Sequence, residues 1–569
     1  MEWDVIIVGS GASGLTAAVR AAHAQLKVLV LEKADYFGGT TAISGGGIWI
    51  PNNPQAVAAG IVDPPEKVRQ YVLEVIGRTV REELIDAYLA SGPAMIRWLA
   101  ENTRVEFLLT PETSDWYPEI PGASRFGRLL SPREYDGKEL KEIFAQLRPA
   151  REEFNAPGGF MIDLFDLPYL AGMPSLKSLS HLGKLGIRFA FDKLRGYARG
   201  TRLTMGNALA ARLLRSALDA GVTLRRQVAV DGLMMDGGRI AGVSTVVAGR
   251  TEKMWARRGV VLASGGFSAN EKLRKDYMPY PDQHVSLLPD ENTGDGINAA
   301  LAAGASLDGN NFFNGVWAVV SKRIREDGYL ARYAHLIDMS KPGCIAVNDK
   351  GERFGNEASV NFVDAMHATG SVPAHIIGDA RCVKKYGMGM VFPGAGNLQK
   401  LVKAGYVVEA PTLHALAARI GINPEGLERT VAMMNRYAIS GTDTDFHKGE
   451  RQIDREIGDP KHAPNPCLGP VEKAPFYAIK IYPGDGSTTV GLRIDAGCRV
   501  LDGSGDPLPG LYAAGLDANS IWRGKSPAHG CNVGPAMVLG FITGSRLAEA
   551  AAPDRSTVGR HSAMPAAVP

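Results

Sequence analysis

An unbroken apolar run, Val5-Ile6-Ile7-Val8, gives way at once to Gly9-Ser10-Gly11-Ala12-Ser13-Gly14, and then to Leu15-Thr-Ala-Ala-Val-Arg-Ala-Ala with apolar positions at helical spacing. The pattern predicts a buried strand, a tight turn and a helix. A second apolar run, Val28-Leu29-Val30-Leu31, ends in Glu32 and predicts a neighbouring strand. The strand-to-glycine signature recurs twice: Gly259-Val-Val-Leu-Ala263 opens into Ser264-Gly265-Gly266, and Gly510-Leu-Tyr512-Ala-Ala514 opens into Gly515. Beyond Gly530, the stretch Gly534-Pro535-Ala-Met-Val-Leu-Gly-Phe-Ile predicts a helix with proline near its first turn. Lys177, His181, Lys184 and Arg188 recur at helical spacing opposite Leu179, Leu182 and Phe189, which predicts a basic amphipathic helix. The residues after Ala552 show no periodicity and are expected to be a disordered tail.

Composition narrows the class. At 569 residues and 45% hydrophobic content the chain is too long for one ordinary core and too apolar for disorder, so two connected domains are expected. Lys+Arg 63 against Asp+Glu 60 leaves a formal +3 without a long basic run, which speaks against nucleic acid as a partner. The five cysteines (Cys344, Cys382, Cys467, Cys498, Cys531) are far apart and lack Cys-x-x-Cys spacing; a reducing compartment fits, and no metal site is expected. No stretch approaches ~18 uninterrupted apolar residues and no basic leader precedes Val5, so a soluble cytoplasmic protein is expected. A basic amphipathic helix can lie on a membrane, but a solvated face over a core is commoner, and membrane contact is not expected.

The first glycine turn is a dinucleotide cradle. Gly9 permits the turn, Gly11 lets backbone N–H groups (Ser10, Ala12, Ser13) approach a pyrophosphate, and Gly14 lets helix and strand pack closely. Glu32, eighteen residues after Gly14, is placed to accept ribose hydroxyls. The following loop, with Lys33, Gly38, Gly39, Thr40, Thr41, Ser44, Gly45 and Gly46, suits FAD lying along the chain better than NAD. Val228, Ser264, Gly265, Gly266, Asp295, Gly515, Asn532 and Val533 complete the expected cofactor set. The helix start after Gly530 would favour the negative charge a flavin gains on reduction. No His or Cys stands in a recognisable flavinylation context, so the FAD is expected to be noncovalent.

These blocks, with Thr293-Gly-Asp295-Gly296, Gly351-Glu-Arg353-Phe-x-Asn356-Glu357 and Gly534-Pro-Ala-Met537, resemble the FAD-dependent 3-ketosteroid dehydrogenase and soluble fumarate reductase flavoprotein superfamily. Within it, the chain resembles the cyclohexanone-type dehydrogenases of the ketosteroid group. The resemblance implies an α/β fold with an α+β cap: a discontinuous Rossmann-like FAD domain at 1–290 and 471–550, with a cap-contacting insertion at about 100–205. An inserted catalytic domain at 291–470 and a tail at 551–569 complete it. Ser114-Asp115-Trp116-Tyr117-Pro118 and Thr204-Met205-Gly206-Asn207 look like stretches that line the family's substrate cleft. The aromatic candidates Trp116, Tyr117, Phe126, Phe313 and Trp317 favour an uncharged substrate. Two family tyrosines are absent: Ser526 stands where one binds the ketone, although its partner Gly530 is present, and Asn361-Phe362 replaces the region of the other.

The resemblance implies α,β-desaturation of a cyclic ketone to the enone, which needs an α-proton acceptor, a hydride acceptor and a group to hold the enolate. FAD takes the hydride. Gly530, with Ser526 or His529, holds the ketone oxygen, and Trp116 walls the cleft. Tyr197, flanked by Arg195, Arg199 and Arg202, is the candidate base, with a packing role as its alternative. Cys531 is not expected to act as a nucleophile. The substrate is expected to be a small cyclic ketone, and the electron acceptor a quinone or dye-like molecule. The alternatives are a 3-ketosteroid dehydrogenase proper, a fumarate-reductase-type alkene reductase, or an electron-transfer flavoprotein without a substrate.

Overall fold

The computed structural model describes residues 2–549, apart from 78–80, 153–154, 156–158, 164, 167–168, 170–174 and 248. The expected tail at 551–569 lies outside the described residues.

The apolar runs read from the sequence pair as one parallel sheet. Its order is Pro507–Ala513, Arg250–Leu262, Glu2–Val8, Val28–Leu31, Thr223–Arg225, with Arg499–Leu501 added antiparallel at the outer edge. The central strands are apolar at successive positions because both faces of a parallel sheet are covered; Val5, Ile6, Ile7, Leu29, Val30, Val260, Val261 and Leu262 are all fully buried. Ala12–Ala22, Met205–Asp219 and Val533–Glu549 are helices of the same core. The strand Arg250–Leu262 also continues an antiparallel meander with Arg239–Val247 and Ala229–Asp236, closed by the two-residue glycine turn between Asp236 and Arg239.

A second sheet is antiparallel in its main order, Leu330–Ala334, Gly315–Ile324, Phe476–Thr488, Ala374–Asp379, Cys344–Val347. Phe476–Thr488 is its spine, and the chain rejoins the parallel sheet after that strand. A small third sheet of Ile48–Trp49, Leu129–Pro132 and Phe107–Leu109 sets Trp49 against the C-terminal region.

Beneath the second sheet lies a buried charge network. Arg353 donates to Glu357 at 2.7 and 2.8 Å and to Asp443 at 2.8 Å. The fully buried Lys448 donates to the Cys344 carbonyl at 2.6 Å and stands 3.5 Å from Glu357. The arginine and lysine hold the Glu357 carboxyl below the usual carboxylate range despite its burial. Removing one partner of such a network strands a charge. Glu357→Ala is expected to lose about 3–5 kcal/mol of unfolding free energy, measured by urea titration; a loss within the ~1 kcal/mol of an exposed pair would contradict it.

Candidate active site

The tips of Glu2–Val8, Val28–Leu31 and Arg250–Leu262 open on a cleft. Its floor requires a bare backbone: Gly9 has φ of +106°, and a Cβ there would stand 2.1 Å from the Ala263 carbonyl oxygen. One helical turn on, a Cβ at Gly14 would stand 2.1 Å from the Gly9 oxygen, so the helix can lie this close to the strand only as glycine. That helix starts at Gly11 without a side-chain cap, leaving its positive end toward the cleft. Glu32 is held in place at the strand tip. It accepts from Ser10 N at 3.2 Å, Ser10 Oγ at 2.5 Å and Ala34 N at 2.9 Å. A carboxylate has about four lone-pair sites, so acceptor capacity remains for ribose hydroxyls. Lys33 reaches across to Asp295 at 2.6 Å and to the Thr293 hydroxyl.

Gly9, Ser10, Gly11, Ala12, Ser13, Glu32, Lys33, Gly39, Thr40, Thr41, Val228, Ser264, Gly265, Asp295 and Gly515 line this cleft. The other expected cofactor residues stand behind or beside it. Gly38 N donates to Ser10 Oγ at 3.0 Å, and Gly266 N donates to Asp517 at 3.0 Å. The Ser44-Gly45-Gly46 segment packs on the Met205-Gly206 turn, where Gly206 N donates to the Ser44 carbonyl at 3.0 Å. Asn532 and Val533 belong to the start of the C-terminal helix. Sequence reasoning missed Arg148, which lines the cleft with a buried Nε that has no partner while its Nη2 donates to Glu291 at 3.0 Å. It also missed Asp517, fully buried, which accepts from Ser264 N at 2.6 Å and is pushed up by burial. An orphaned guanidinium N–H, a lysine, a helix start and a poised carboxylate together fit the diphosphate and ribose of FAD. Ser10, Ala12, Glu32, Lys33 and Arg148 would hold it, and it would supply a two-electron acceptor.

A second group of residues assembles around the start of the C-terminal helix. Gly530 has φ of +83°, and a Cβ there would stand 2.7 Å from Trp49 N, so this turn also requires glycine. The Gly530 carbonyl accepts from Trp49 N at 3.3 Å and from Gly534 N at 3.1 Å. That second bond is the first turn of the helix, and the amides from Gly530 onward precede its first intrahelical donor. Trp116 is pinned beside it: its N–H donates to the Pro527 carbonyl at 3.0 Å, its carbonyl accepts from Arg451 at 2.9 Å, and its ring meets His529 edge-on at 5.2 Å. Burial pushes His529 down to about 4, so its imidazole is neutral. Ser526 is buried in the same loop.

From just ahead of the helix Phe362–Thr369, Asn361 Nδ2 reaches the Tyr117 hydroxyl at 3.5 Å. Burial holds that phenol above its ordinary range and therefore protonated. Three residues on, along the helix Phe362–Thr369, stands Asp364, half-buried and with no hydrogen-bond or ion-pair partner among the described residues. Burial pushes it up to about 6, opposed by the charge of Lys525 on the loop that carries Ser526 and Gly530. Neither Asn361 nor Asp364 was read as a base or donor from sequence.

The structure does not bring Tyr197 to this group. Its ring meets Phe144 at 6.0 Å, next to the segment in which Arg148 N donates to the Phe37 carbonyl. The arginines expected to favour its phenolate have other partners: Arg199 stacks 4.6 Å over Phe144 and donates to the Leu147 carbonyl at 2.9 Å, and Arg202 pairs with Glu134 and Asp166 at 2.6 and 3.0 Å. Trp317 and Phe313 pack on each other at 6.3 Å and Trp317 on His284 and His367, an aromatic cluster of its own.

A family model described as an FAD binding domain matches residues 4–533. The chain is 36% identical to a 3-oxosteroid 1-dehydrogenase of Mycobacterium tuberculosis, over 97% of this chain and 99% of that protein. It is 35% identical to a 4-oxocyclohex-2-ene-1-carboxylate 5-dehydrogenase of Sinomonas cyclohexanicum, over 96% and 94%. The crystal structure of a 3-ketosteroid Δ1-dehydrogenase from Sterolibacterium denitrificans, in complex with 1,4-androstadiene-3,17-dione, matches with a TM-score of 0.90 at 34% identity, over 96% of this chain and all of that one.

Glu32→Ala is expected to weaken FAD binding at least tenfold, since a charge-assisted hydrogen bond contributes about 1.5–3 kcal/mol. Titration of the released flavin measures it, and unchanged affinity would reject the role given to Glu32.

Proposed function

The chain belongs to the FAD binding domain family and is an FAD-dependent oxidoreductase, and from that premise we propose that it desaturates a cyclic ketone of cyclohexanone size to the conjugated enone. The observation that carries this reading is a helix start at Gly530 on a loop whose Lys525 stands close enough to the half-buried, unpaired carboxylate of Asp364 to oppose its rise. The first donates to an oxygen that is gaining charge; the second accepts a proton.

Bound noncovalently, FAD supplies the hydride acceptor. The chain does the rest. Amides at the Gly530 turn hold the ketone oxygen, which strengthens as an acceptor while the enolate develops. Asp364 takes the α-proton, and the electrons of the broken C–H bond form the enolate double bond. Its competitors are weaker for this step. Tyr117 is protonated at neutral pH and serves as a donor. His529, pushed down to about 4 by burial, is a poorer proton acceptor than Asp364, pushed up to about 6. Trp116 forms the apolar wall. Lys525, Asn361 and Asp364 add polar and charged groups beside the Gly530 loop, which supports a small polar ring over an apolar steroid. A quinone or dye-like acceptor then reoxidises the enzyme.

Cyclohexanone-type ketones are expected to bleach the protein's flavin under anaerobic conditions faster than a 3-oxosteroid does, and fumarate is expected not to restore its colour. Faster bleaching by the steroid would assign the larger substrate, and fumarate-dependent reoxidation would assign alkene reduction.

Asp364 must be ionised to accept the proton, so kcat/KM of the parent is expected to fall as pH drops through about 6. Asp364→Asn is expected to lower kcat by about 10²–10⁴-fold with KM nearly unchanged and that acid limb gone. A variant that turns over near the parent rate with the limb intact would exclude Asp364.

A further inference from the structure

Two neighbouring histidine rings each carry a buried nitrogen without a protein partner. The side chain of His284 is fully buried: its Nδ1 meets Asp485 at 3.3 Å, and Asp485 in turn accepts from Ser286 Oγ at 2.7 Å and stands 3.4 Å from Arg274. Its Nε2 is buried and has no hydrogen-bond partner among the described residues. His367, on the helix Phe362–Thr369, has a buried Nε2 in the same condition. The two rings lie 5.6 Å apart, and Trp317 meets them edge-on at 5.1 and 5.4 Å. Tyr280 stacks on His367 at 5.7 Å and donates to its carbonyl at 3.2 Å. A buried polar atom left unpaired costs about 1–3 kcal/mol, and such atoms are nearly all bonded in native proteins. Two orphans on adjacent rings held by packing mark a place for an outside partner.

The pair is one helical turn from Asp364. His367 follows it by three positions, so the two side chains leave one face of the helix with Cβ atoms about 5–6 Å apart. The surrounding contacts close a circuit. Trp317 packs on Phe313 at 6.3 Å, and Gly524 lies so close under Phe313 that a Cβ there would stand 2.0 Å from its carbonyl oxygen. The next residue, Lys525, is the cation that opposes the rise of Asp364. A ring presented to Asp364 therefore has His367 and His284 beside it.

The state of the two imidazoles selects the partner. With Nδ1–H donated to Asp485, the neutral ring of His284 presents a lone pair at Nε2. Burial, aided by His284, pushes His367 down to about 4, so it is neutral at working pH and free to present an N–H at Nε2. A lone pair beside an N–H suits a group that donates and accepts through one atom, which is a hydroxyl. A carboxylate only accepts; it would meet the lone pair of His284 and stand near Asp364.

We propose that His284 and His367 bind a hydroxyl group on the substrate ring, so that this chain acts on hydroxylated cyclic ketones. The inference rests on the desaturation reading above and adds the substrate's second polar group to it. The test uses the FAD-loaded protein under anaerobic conditions with cyclohexanone, 4-hydroxycyclohexanone and 4-oxocyclohexanecarboxylate, and reads the ketone concentration that half-saturates flavin bleaching. The hydroxyketone is expected to half-saturate roughly tenfold below cyclohexanone, the worth of two hydrogen bonds to otherwise unpaired nitrogens. His367→Leu is expected to remove most of that difference, and His367→Gln, which keeps an N–H near the place of Nε2, to restore it; lost packing alone would shift both ketones alike. Should a variant lose its FAD, the comparison of ketones on the parent decides. Cyclohexanone bleaching that gains nothing from the hydroxyl, or a preference that survives His367→Leu, would overturn the subsite and leave desaturation standing. Saturation by the carboxylate at the lowest concentration would overturn the hydroxyl in favour of an anion. Bleaching by none of the three would overturn the desaturation reading, and this inference with it.

Discussion

One carbonyl oxygen joins the parts of this protein. Gly530 O accepts from the amide of Trp49 in the small third sheet and from the amide of Gly534 in the C-terminal helix. The pair of hydrogen bonds is geometrically possible only because Gly530 has no side chain to meet Trp49. It fixes where the C-terminal helix begins, and hence where that helix's unpaired amides point. The same helix shares its core with the helix that follows the first glycine turn, so the nucleotide cleft and the Gly530 turn are held in one frame. Trp116, hydrogen-bonded to Pro527 three residues earlier, inherits its position from the same turn.

The carboxylates between Arg353 and Asp443 are of two kinds. Glu357 and Asp443 surround Arg353, and the cations keep both below the usual carboxylate range. Such groups are fixed charges at any working pH and serve the fold. Asp364 differs in having no direct partner: burial alone raises it, and Lys525 only moderates the rise. A half-buried carboxylate with no direct partner is available for chemistry.

The nucleotide cleft was legible in the sequence because its parts are local. Gly9, Gly14 and Glu32 follow one another through a single strand, helix and strand, and the spacing alone sets their relation. Arg148 was not legible, since it reaches the cleft from a segment more than a hundred residues away in sequence, beside the bridge between Phe37 and Leu147. The group around Gly530 is drawn from segments more than a hundred residues apart. Trp116, His529 and Gly530 were found through family resemblance, and the structure does bring them together. Tyr197 was chosen for its neighbouring arginines, but proximity in sequence did not survive folding: Arg199 and Arg202 turn to the Leu147 carbonyl and to Asp166. Asp364 carried no sequence signal, because what distinguishes it is burial without a partner, a property only the folded chain has.

The central claim is that a proton leaves to the chain and a hydride leaves to FAD from adjacent carbons of one ring. The most direct measurement is an anaerobic single turnover with cyclohexanone deuterated at the β-carbon, following flavin absorbance and enone formation together. The expected result is bleaching slowed severalfold by the label, with enone appearing at the same rate and in equal amount. Bleaching that ignores the label, or that proceeds without enone, would contradict the account.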